Sequence, residues 1–128
     1  MPAHGDRYAK AAEFIEVALQ LWDSWADNAL VMDRAGVYGD PDMQQPLNHM
    51  CDHFRVEGPL NVPRPPQGRP VLFQAGASGH GCDLAARHAE GIYAVAYDLP
   101  SAQDYYADTK RRIAAAGRNQ DRVAISQD

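Results

Sequence analysis

Residues 74–78, Gln-Ala-Gly-Ala-Ser, are the segment whose residue types and spacing best suit a ligand. A short apolar run at residues 71–74 predicts a strand buried on both faces. An alanine-rich run at residues 84–90 predicts a helix, and Ser78 offers an oxygen that can cap it. Where a strand ends and a helix begins, free N–H groups and a positive dipole end favour an anion. The segment therefore predicts an anion site, most often one for phosphate.

The pattern by itself is not diagnostic of phosphate binding. It lacks the lysine of a Walker loop and the full glycine spacing of a dinucleotide-binding turn. The same residues also suit a plain turn, in which glycine only reverses the chain and Ser78 is an ordinary helix cap. Both interpretations remain open from the pattern alone.

A second group of potential ligands comprises His49, Cys51, Asp52 and His53. On a strand, residues 49, 51 and 53 would point to one face, where they could meet a soft divalent ion. Their spacing matches none of the standard zinc signatures. We therefore favour a short hairpin over a metal site, with the histidines near solvent or at the rim.

No pair of side chains in the sequence predicts acid–base or nucleophilic catalysis. His80 and His88 are isolated, and no serine or cysteine has an evident base beside it. We therefore assign no catalytic residue. This pattern is typical of an enzyme whose chemistry belongs to a cofactor, with the protein supplying binding and orientation.

The elements that must position the turn are predicted to be successive βα units. Residues 92–96 predict a second strand, with Gly91 before it as a left-handed helix stop. Residues 101–116 predict a helix that begins with a capping box, and residues 122–126 predict a third strand. This alternation implies parallel strands joined by right-handed crossovers.

The first half of the chain predicts a long helix and a proline-rich segment. Residues 6–25 carry an apolar stripe at helical spacing that includes Tyr8, with Asp6 as the helix cap. Trp25 is interpreted as a core residue rather than a ligand contact. Residues 59–70 contain five prolines, which predict an extended segment. Such a segment is either a structural strap or a ligand for a small adaptor domain.

Composition is typical of a soluble cytoplasmic protein. Twelve basic and seventeen acidic side chains give a formal net charge of −5, which argues against nucleic acid and acidic membranes as partners. The sequence shows no apolar stretch of membrane-spanning length and no signal-peptide core at its start. Cys51 and Cys82 make no disulfide framework and predict reduced thiols.

Four motifs follow one another in an order that resembles a known family. They are Leu-Trp-Asp-Ser-Trp at 21–25, the proline-rich segment at 58–70, the turn at 74–78 and Leu-Ala-Ala-Arg-His-Ala-Glu at 84–90. Over nearly the whole chain, this order is similar to the luciferase-like flavin monooxygenases, in the group of the nitrilotriacetate and dibenzothiophene-sulfone monooxygenases. Residues 79–82, Gly-His-Gly-Cys, depart from the small acidic turn that is usual there.

The resemblance implies a TIM (β/α)8 barrel that uses reduced FMN (FMNH2) and dioxygen to oxygenate a small organic substrate. A separate flavin reductase would supply the reduced flavin, and the full-length protein would be a homo-oligomer. The resemblance also implies that Gly76, Ala77 and Ser78 bind the FMN phosphate, with Ala77 contributing only its backbone N–H.

Length limits what this chain can do alone. A complete (β/α)8 barrel needs about 250 residues, and the sequence has 128. We therefore expect residues 1–128 to be a single partial domain: an α/β fragment of the barrel with parallel strands and a Pro-rich extended insertion. We expect this fragment to be inactive by itself. Two alternatives remain, a non-catalytic phosphate- or nucleotide-binding α/β module and an inactive structural fragment that binds a partner chain.

Overall fold

The computed structural model describes residues 4–127. Its helices and strands are α1 (His4–Trp22), β1 (His49–Met50), β2 (Arg55–Val56), β3 (Phe73–Ala75), α2 (Gly79–His88), β4 (Gly91–Ala94), α3 (Leu99–Ala115) and β5 (Ala124–Gln127). They belong to two compact units, one formed by residues 9–70 and the other by residues 4–8 with 71–127. Among the described helices, none has the length and apolar character needed to cross a membrane.

In the unit of residues 9–70, the proline-rich segment is attached to the chain that follows α1. The indole N–H of Trp25 donates to the carbonyl oxygen of Leu60 at 2.7 Å. The backbone N–H of Leu60 donates to the hydroxyl oxygen of Ser24 at 3.0 Å. Trp25 is only 6% exposed, which confirms its prediction as a core residue. These contacts support the interpretation of the proline-rich segment as a structural strap.

The predicted hairpin is present in the same unit. β1 and β2 pair antiparallel, with His49 opposite Val56. The tip of the hairpin is tied to Glu13 of α1, whose carboxylate accepts hydrogen bonds from the His49 ring and from the backbone N–H groups of His53 and Phe54. The His49 side chain is 13% exposed. His53 is exposed and His49 is partly exposed beside Glu13, so the histidines lie near solvent and at the rim, as predicted.

The unit of residues 4–8 and 71–127 contains the parallel sheet. The strand order is β3-β4-β5, and both neighbouring pairs are parallel. This arrangement confirms the predicted succession of βα units. Behind the sheet, α2 and α3 enclose a core of small and branched side chains: Ala85, Ala86, Ala89, Ile92, Ile113 and Val123. The alanines of α2 let the helix lie close to the sheet, since a short side chain keeps the two backbones near each other.

The start of α2 agrees with its predicted cap, and its end differs from the prediction. The helix begins at Gly79, directly after Ser78. It ends because Ala89 adopts an extended conformation. Gly91 was wrongly predicted as a left-handed stop, since it is the first residue of β4. Glycine is needed there for space: a Cβ atom would lie 2.2 Å from the Phe73 ring.

The start of α3 also differs from the prediction. Asp98 is the N-cap, and its carboxylate accepts the backbone N–H of Ser101 at 2.7 Å. The helix therefore begins at Leu99, with Pro100 in the first turn, where proline is favoured because no N–H is required.

The prediction that β3 is buried on both faces was wrong for this chain. Phe73 is 74% exposed and Val71 is 53% exposed. Phe73 lies on the same face of the sheet as Tyr93 of β4, which is 41% exposed, whereas the helices pack on the other face, against Ile92. In the described structure, the face that carries Phe73 is the uncovered one.

Candidate functional site

The turn between β3 and α2 is exposed and contains a glycine in an unusual conformation. Gly76 has φ +141°, a region that glycine adopts easily and other residues rarely do. No atom lies within 4 Å of the Cβ position of Gly76 or Gly79, so the space outside the turn is open. Gly76 and Ala77 are exposed, and Ser78 is half-buried. The three predicted residues are thus adjacent, accessible and placed at the amino end of a helix.

Ser78 caps α2, as predicted. Its hydroxyl oxygen accepts the backbone N–H of Gly81 at 3.2 Å and lies 3.1 Å from the hydroxyl of Tyr8. A serine hydroxyl has two acceptor positions and one proton. When Tyr8 is the donor, both acceptor positions of Ser78 are filled and its own proton is available to a ligand. The cap and the proposed ligand contact are therefore compatible in one side chain.

Tyr8 contacts the candidate site, and the sequence did not reveal this contact. It was assigned to the apolar stripe of the first helix, yet its hydroxyl reaches a residue 70 positions later. Its ring also stacks on His80, with centroids 5.7 Å apart. The close approach depends on Gly81, where a Cβ atom would lie 3.0 Å from the Tyr8 hydroxyl and 3.1 Å from the Ser78 hydroxyl. The unusual glycine at 81 thus accommodates both hydroxyl groups.

The carbonyl oxygen of Gly76 accepts a hydrogen bond from a side chain of α3. The hydroxyl of Tyr105, on α3, donates to the Gly76 oxygen at 3.0 Å. The buried thiol of Cys82 lies 3.9 Å from the same oxygen. Burial raises the pKa of Tyr105, and the neighbouring Cys82 raises it further. Tyr105 therefore stays protonated, and a hydrogen-bond donor, over the neutral pH range.

The charges around α2 do not oppose an anion at its amino end. Its first turn contains no acidic side chain among the ten described residues, and Arg87 and His88 occupy its last turn. Asp83 lies further along the helix and is paired with Arg112 at 2.5 Å. Arg112 also pairs with Asp108 at 2.7 Å, and this hydrogen bond lowers the pKa of Asp108. The carboxylates of Asp83 and Asp108 are therefore compensated by one cation.

The histidine and cysteine group at 49–53 does not converge in the described structure. Within residues 4–127, no set of three or more histidine, cysteine or acidic side chains comes together as a metal site would require. His49 instead bonds to Glu13, which was missed because it lies 36 positions earlier. Burial raises the pKa of Glu13, but hydrogen bonds from the His49 side chain and from the backbone of Phe54 and His53 lower it more. The net result is a pKa below the ordinary value.

Consecutive parallel βα units with a ligand-accessible turn define an α/β barrel or doubly wound class of protein. Comparison with known proteins narrows this class. A model of the luciferase-like monooxygenase family matches residues 2–127. The chain therefore belongs to that family, which confirms the resemblance of its four motifs.

Individual relatives agree with the family. Nitrilotriacetate monooxygenase component A of Aminobacter aminovorans is 48% identical over 123 residues, which are 95% of this chain and 27% of that protein. Dibenzothiophene-sulfone monooxygenase of Rhodococcus erythropolis is 42% identical, with coverage of 95% and 27%. A solved structure of riboflavin lyase with modified FMN and substrate riboflavin has a TM-score of 0.91 at 35% identity, covering 99% of this chain and 29% of that one.

These shares of length show that the chain corresponds to only part of the relatives. It spans 27% of the length of the two curated relatives. The described βα units are accordingly a fragment of a luciferase-like TIM barrel, as predicted from the number of residues. The proteins of this family are flavin-dependent oxidoreductases.

Proposed function

We propose that the turn formed by Gly76, Ala77 and Ser78 binds the phosphate of FMN. The observation that carries this proposal is the open turn itself, which places the Ser78 hydroxyl at the amino end of α2. N–H groups in the first turn of a helix have no acceptor within the helix, and its dipole favours negative charge. The donor set of one hydroxyl and backbone N–H groups fits a phosphate dianion.

Each residue has a separate task in this proposal. Gly76 provides the backbone conformation, Ala77 offers its N–H, and Ser78 donates its hydroxyl proton to a phosphate oxygen while its oxygen caps α2. Tyr8 orients the Ser78 hydroxyl through the 3.1 Å contact. When bound, reduced FMN supplies the reaction with dioxygen that oxygenates the substrate. The residues of this chain bind and orient the phosphate end of the cofactor.

For the full-length protein, we propose an FMNH2-dependent monooxygenase that acts on a small organic substrate in the cytoplasm. A separate flavin reductase would deliver the reduced flavin, and the protein would assemble as a homo-oligomer. Family membership and the flavin in the riboflavin lyase structure support this proposal. Residues 1–128 would contribute one partial domain with the phosphate site and would be inactive without the rest of the barrel.

Substitution of Ser78 tests the phosphate site. A hydrogen bond to a charged group contributes about 1.5–3 kcal/mol, so Ser78→Ala in the full-length protein should weaken FMN binding by about ten-fold or more. Ser78→Asp should weaken it further, because an acidic side chain repels the phosphate. Fluorescence titration of FMN gives both dissociation constants. Ser101→Ala, which removes an exposed hydroxyl from the first turn of α3, is the matched control and should leave FMN binding unchanged.

The outcome separates the proposal from its alternatives. Unchanged FMN affinity in both Ser78 variants would refute the phosphate assignment. FMN binding without flavin-dependent oxygen consumption by the full-length protein would instead indicate a non-catalytic phosphate-binding module. A stable complex with another protein, and no ligand at the turn, would indicate a structural fragment.

A further inference from the structure

The Gly76 carbonyl of the candidate phosphate turn is contacted by side chains from both α2 and α3. The Tyr105 hydroxyl approaches from α3, with an oxygen–oxygen distance of 3.0 Å. The Cys82 sulfur approaches from α2, at 3.9 Å. Cys82 is 5% exposed, and Tyr105 is half-buried and packs against the core behind the sheet, so both groups contact this carbonyl from the side of the helices.

A fixed carbonyl also fixes the next N–H group. The peptide bond between Gly76 and Ala77 is trans, and a trans peptide is planar, with its C=O and N–H pointing in opposite directions. Because the Gly76 oxygen points inward to Tyr105 and Cys82, the Ala77 N–H points outward. Ala77 is exposed, so this N–H faces the open space in front of the turn.

The 76–77 peptide needs contacts from other residues to fix its orientation, because its own residue types do not fix it. Glycine has the widest conformational freedom of any residue type. No atom lies within 4 Å of the Cβ position of Gly76 to restrict it. Rotation of the 76–77 peptide plane would turn the Ala77 N–H away from a bound anion and present a carbonyl oxygen in its place. An oxygen aimed at a phosphate is repulsive, so the orientation of this peptide affects how tightly the turn binds a phosphate.

We propose that Tyr105, assisted by Cys82, is a positioning residue that presents the Ala77 N–H to the phosphate of the flavin. The proposal rests on the function proposed above for Gly76, Ala77 and Ser78. Tyr105 does not touch the phosphate and acts only through the Gly76 carbonyl. Its effect is therefore confined to ligands that carry a phosphate.

The ratio of FMN affinity to riboflavin affinity is the measurement that isolates this role. The two flavins share the isoalloxazine ring and the ribityl chain, and only FMN has the phosphate. Tyr105→Phe keeps the aromatic ring and removes the donor, so in the full-length protein it should lower this ratio by about three- to ten-fold. Tyr106→Phe is the matched control, since it makes the same change one residue later on α3, and it should leave the ratio unchanged.

Cys82→Ala provides a second, independent variant. It removes the weaker donor and should lower the same ratio by about two-fold. If Tyr105→Phe does not fold, the affinity ratio measured for Cys82→Ala is the test. An unchanged ratio in a folded Tyr105→Phe variant, or an equal loss of FMN and riboflavin affinity, would overturn the positioning role. A wild-type protein that binds FMN no better than riboflavin would instead refute the phosphate site itself.

Discussion

Two loops of this chain are held by hydrogen bonds to their backbones. In one loop the bonded backbone groups are N–H donors, and in the other the bonded group is a carbonyl acceptor. At the tip of the 49–56 hairpin, the N–H groups of His53 and Phe54 donate to the carboxylate of Glu13, a negative group supplied by the protein. At the turn before α2, the internal contacts hold the Gly76 carbonyl instead, through Tyr105 and Cys82. The N–H groups at the tip of the hairpin are therefore bonded to an acceptor within the protein. At the turn, the group bonded within the protein is a carbonyl, and the outward side of the turn is open.

This is the difference that we expect between a structural loop and a loop that binds an anion. Buried N–H groups must find an acceptor, and a loop with its own carboxylate is already satisfied. A loop at a helix amino end with no acidic side chain in that helix's first turn has donors and a positive dipole without an internal anion. An external phosphate would supply the negative charge that the turn lacks.

The largest expected effect concerns the internal anion of the hairpin. Glu13→Gln replaces one carboxylate oxygen with an NH2 group, which has to face a donor, since both oxygens accept N–H groups in the native fold. Hydrogen–deuterium exchange in a peptide covering residues 49–56 should become markedly faster. Glu16→Gln, an exposed change on the same helix, is the control and should leave that exchange unchanged.

The same variant has a defined pH dependence. The pKa of Glu13 is lowered below its ordinary value of 4.5, so the stabilisation from its carboxylate is fully present above that pH and is lost as pH falls through the lowered pKa. The difference in hairpin exchange between wild type and Glu13→Gln should therefore shrink as the solution is acidified. A difference that stays constant down to pH 3, about one and a half units below the ordinary glutamate pKa, would show that the carboxylate charge is not what holds the hairpin.

A smaller effect is expected from Gly81→Ala, which tests the open loop. The added Cβ would lie 3.0 Å from the Tyr8 hydroxyl and 3.1 Å from that of Ser78, so at least one hydroxyl must move by a few tenths of an ångström. Displacing the Ser78 hydroxyl should weaken FMN binding by about three-fold, the lower range for one neutral hydrogen bond. Ser101→Ala, an exposed change in the first turn of α3, is the control and should leave FMN affinity unchanged. Equal effects of the two changes would contradict the role given to the Ser78 hydroxyl.

The sequence predicted the local features of the turn well. Ser78 was predicted as the cap of α2, and the strand–turn–helix order with parallel strands is present. These features depend on neighbours in the chain, through residue type and hydrophobic period. The predicted start of α3 failed for a local reason, because Asp98 competes with Ser101 as a cap and precedes it.

The contacts that distinguish the two loops could not be predicted from the sequence. Tyr8 reaches Ser78 across 70 positions, Glu13 reaches His49 across 36, and Tyr105 reaches Gly76 across 29. Helical periodicity places Tyr8 and Tyr105 on apolar stripes and says nothing about the partner of a hydroxyl at the end of the ring. A tyrosine has an apolar body and a polar tip, and only the tertiary fold decides where the tip lies.

The position of the phosphate in a crystal structure of the full-length protein with FMN is the most direct test of the central claim. We expect a phosphate oxygen within hydrogen-bond distance of both the Ser78 hydroxyl and the Ala77 N–H, about 2.5–3.2 Å away, with the Tyr105–Gly76 hydrogen bond intact. A bound FMN whose phosphate lies elsewhere, with nothing in contact with Gly76, Ala77 or Ser78, would contradict the account.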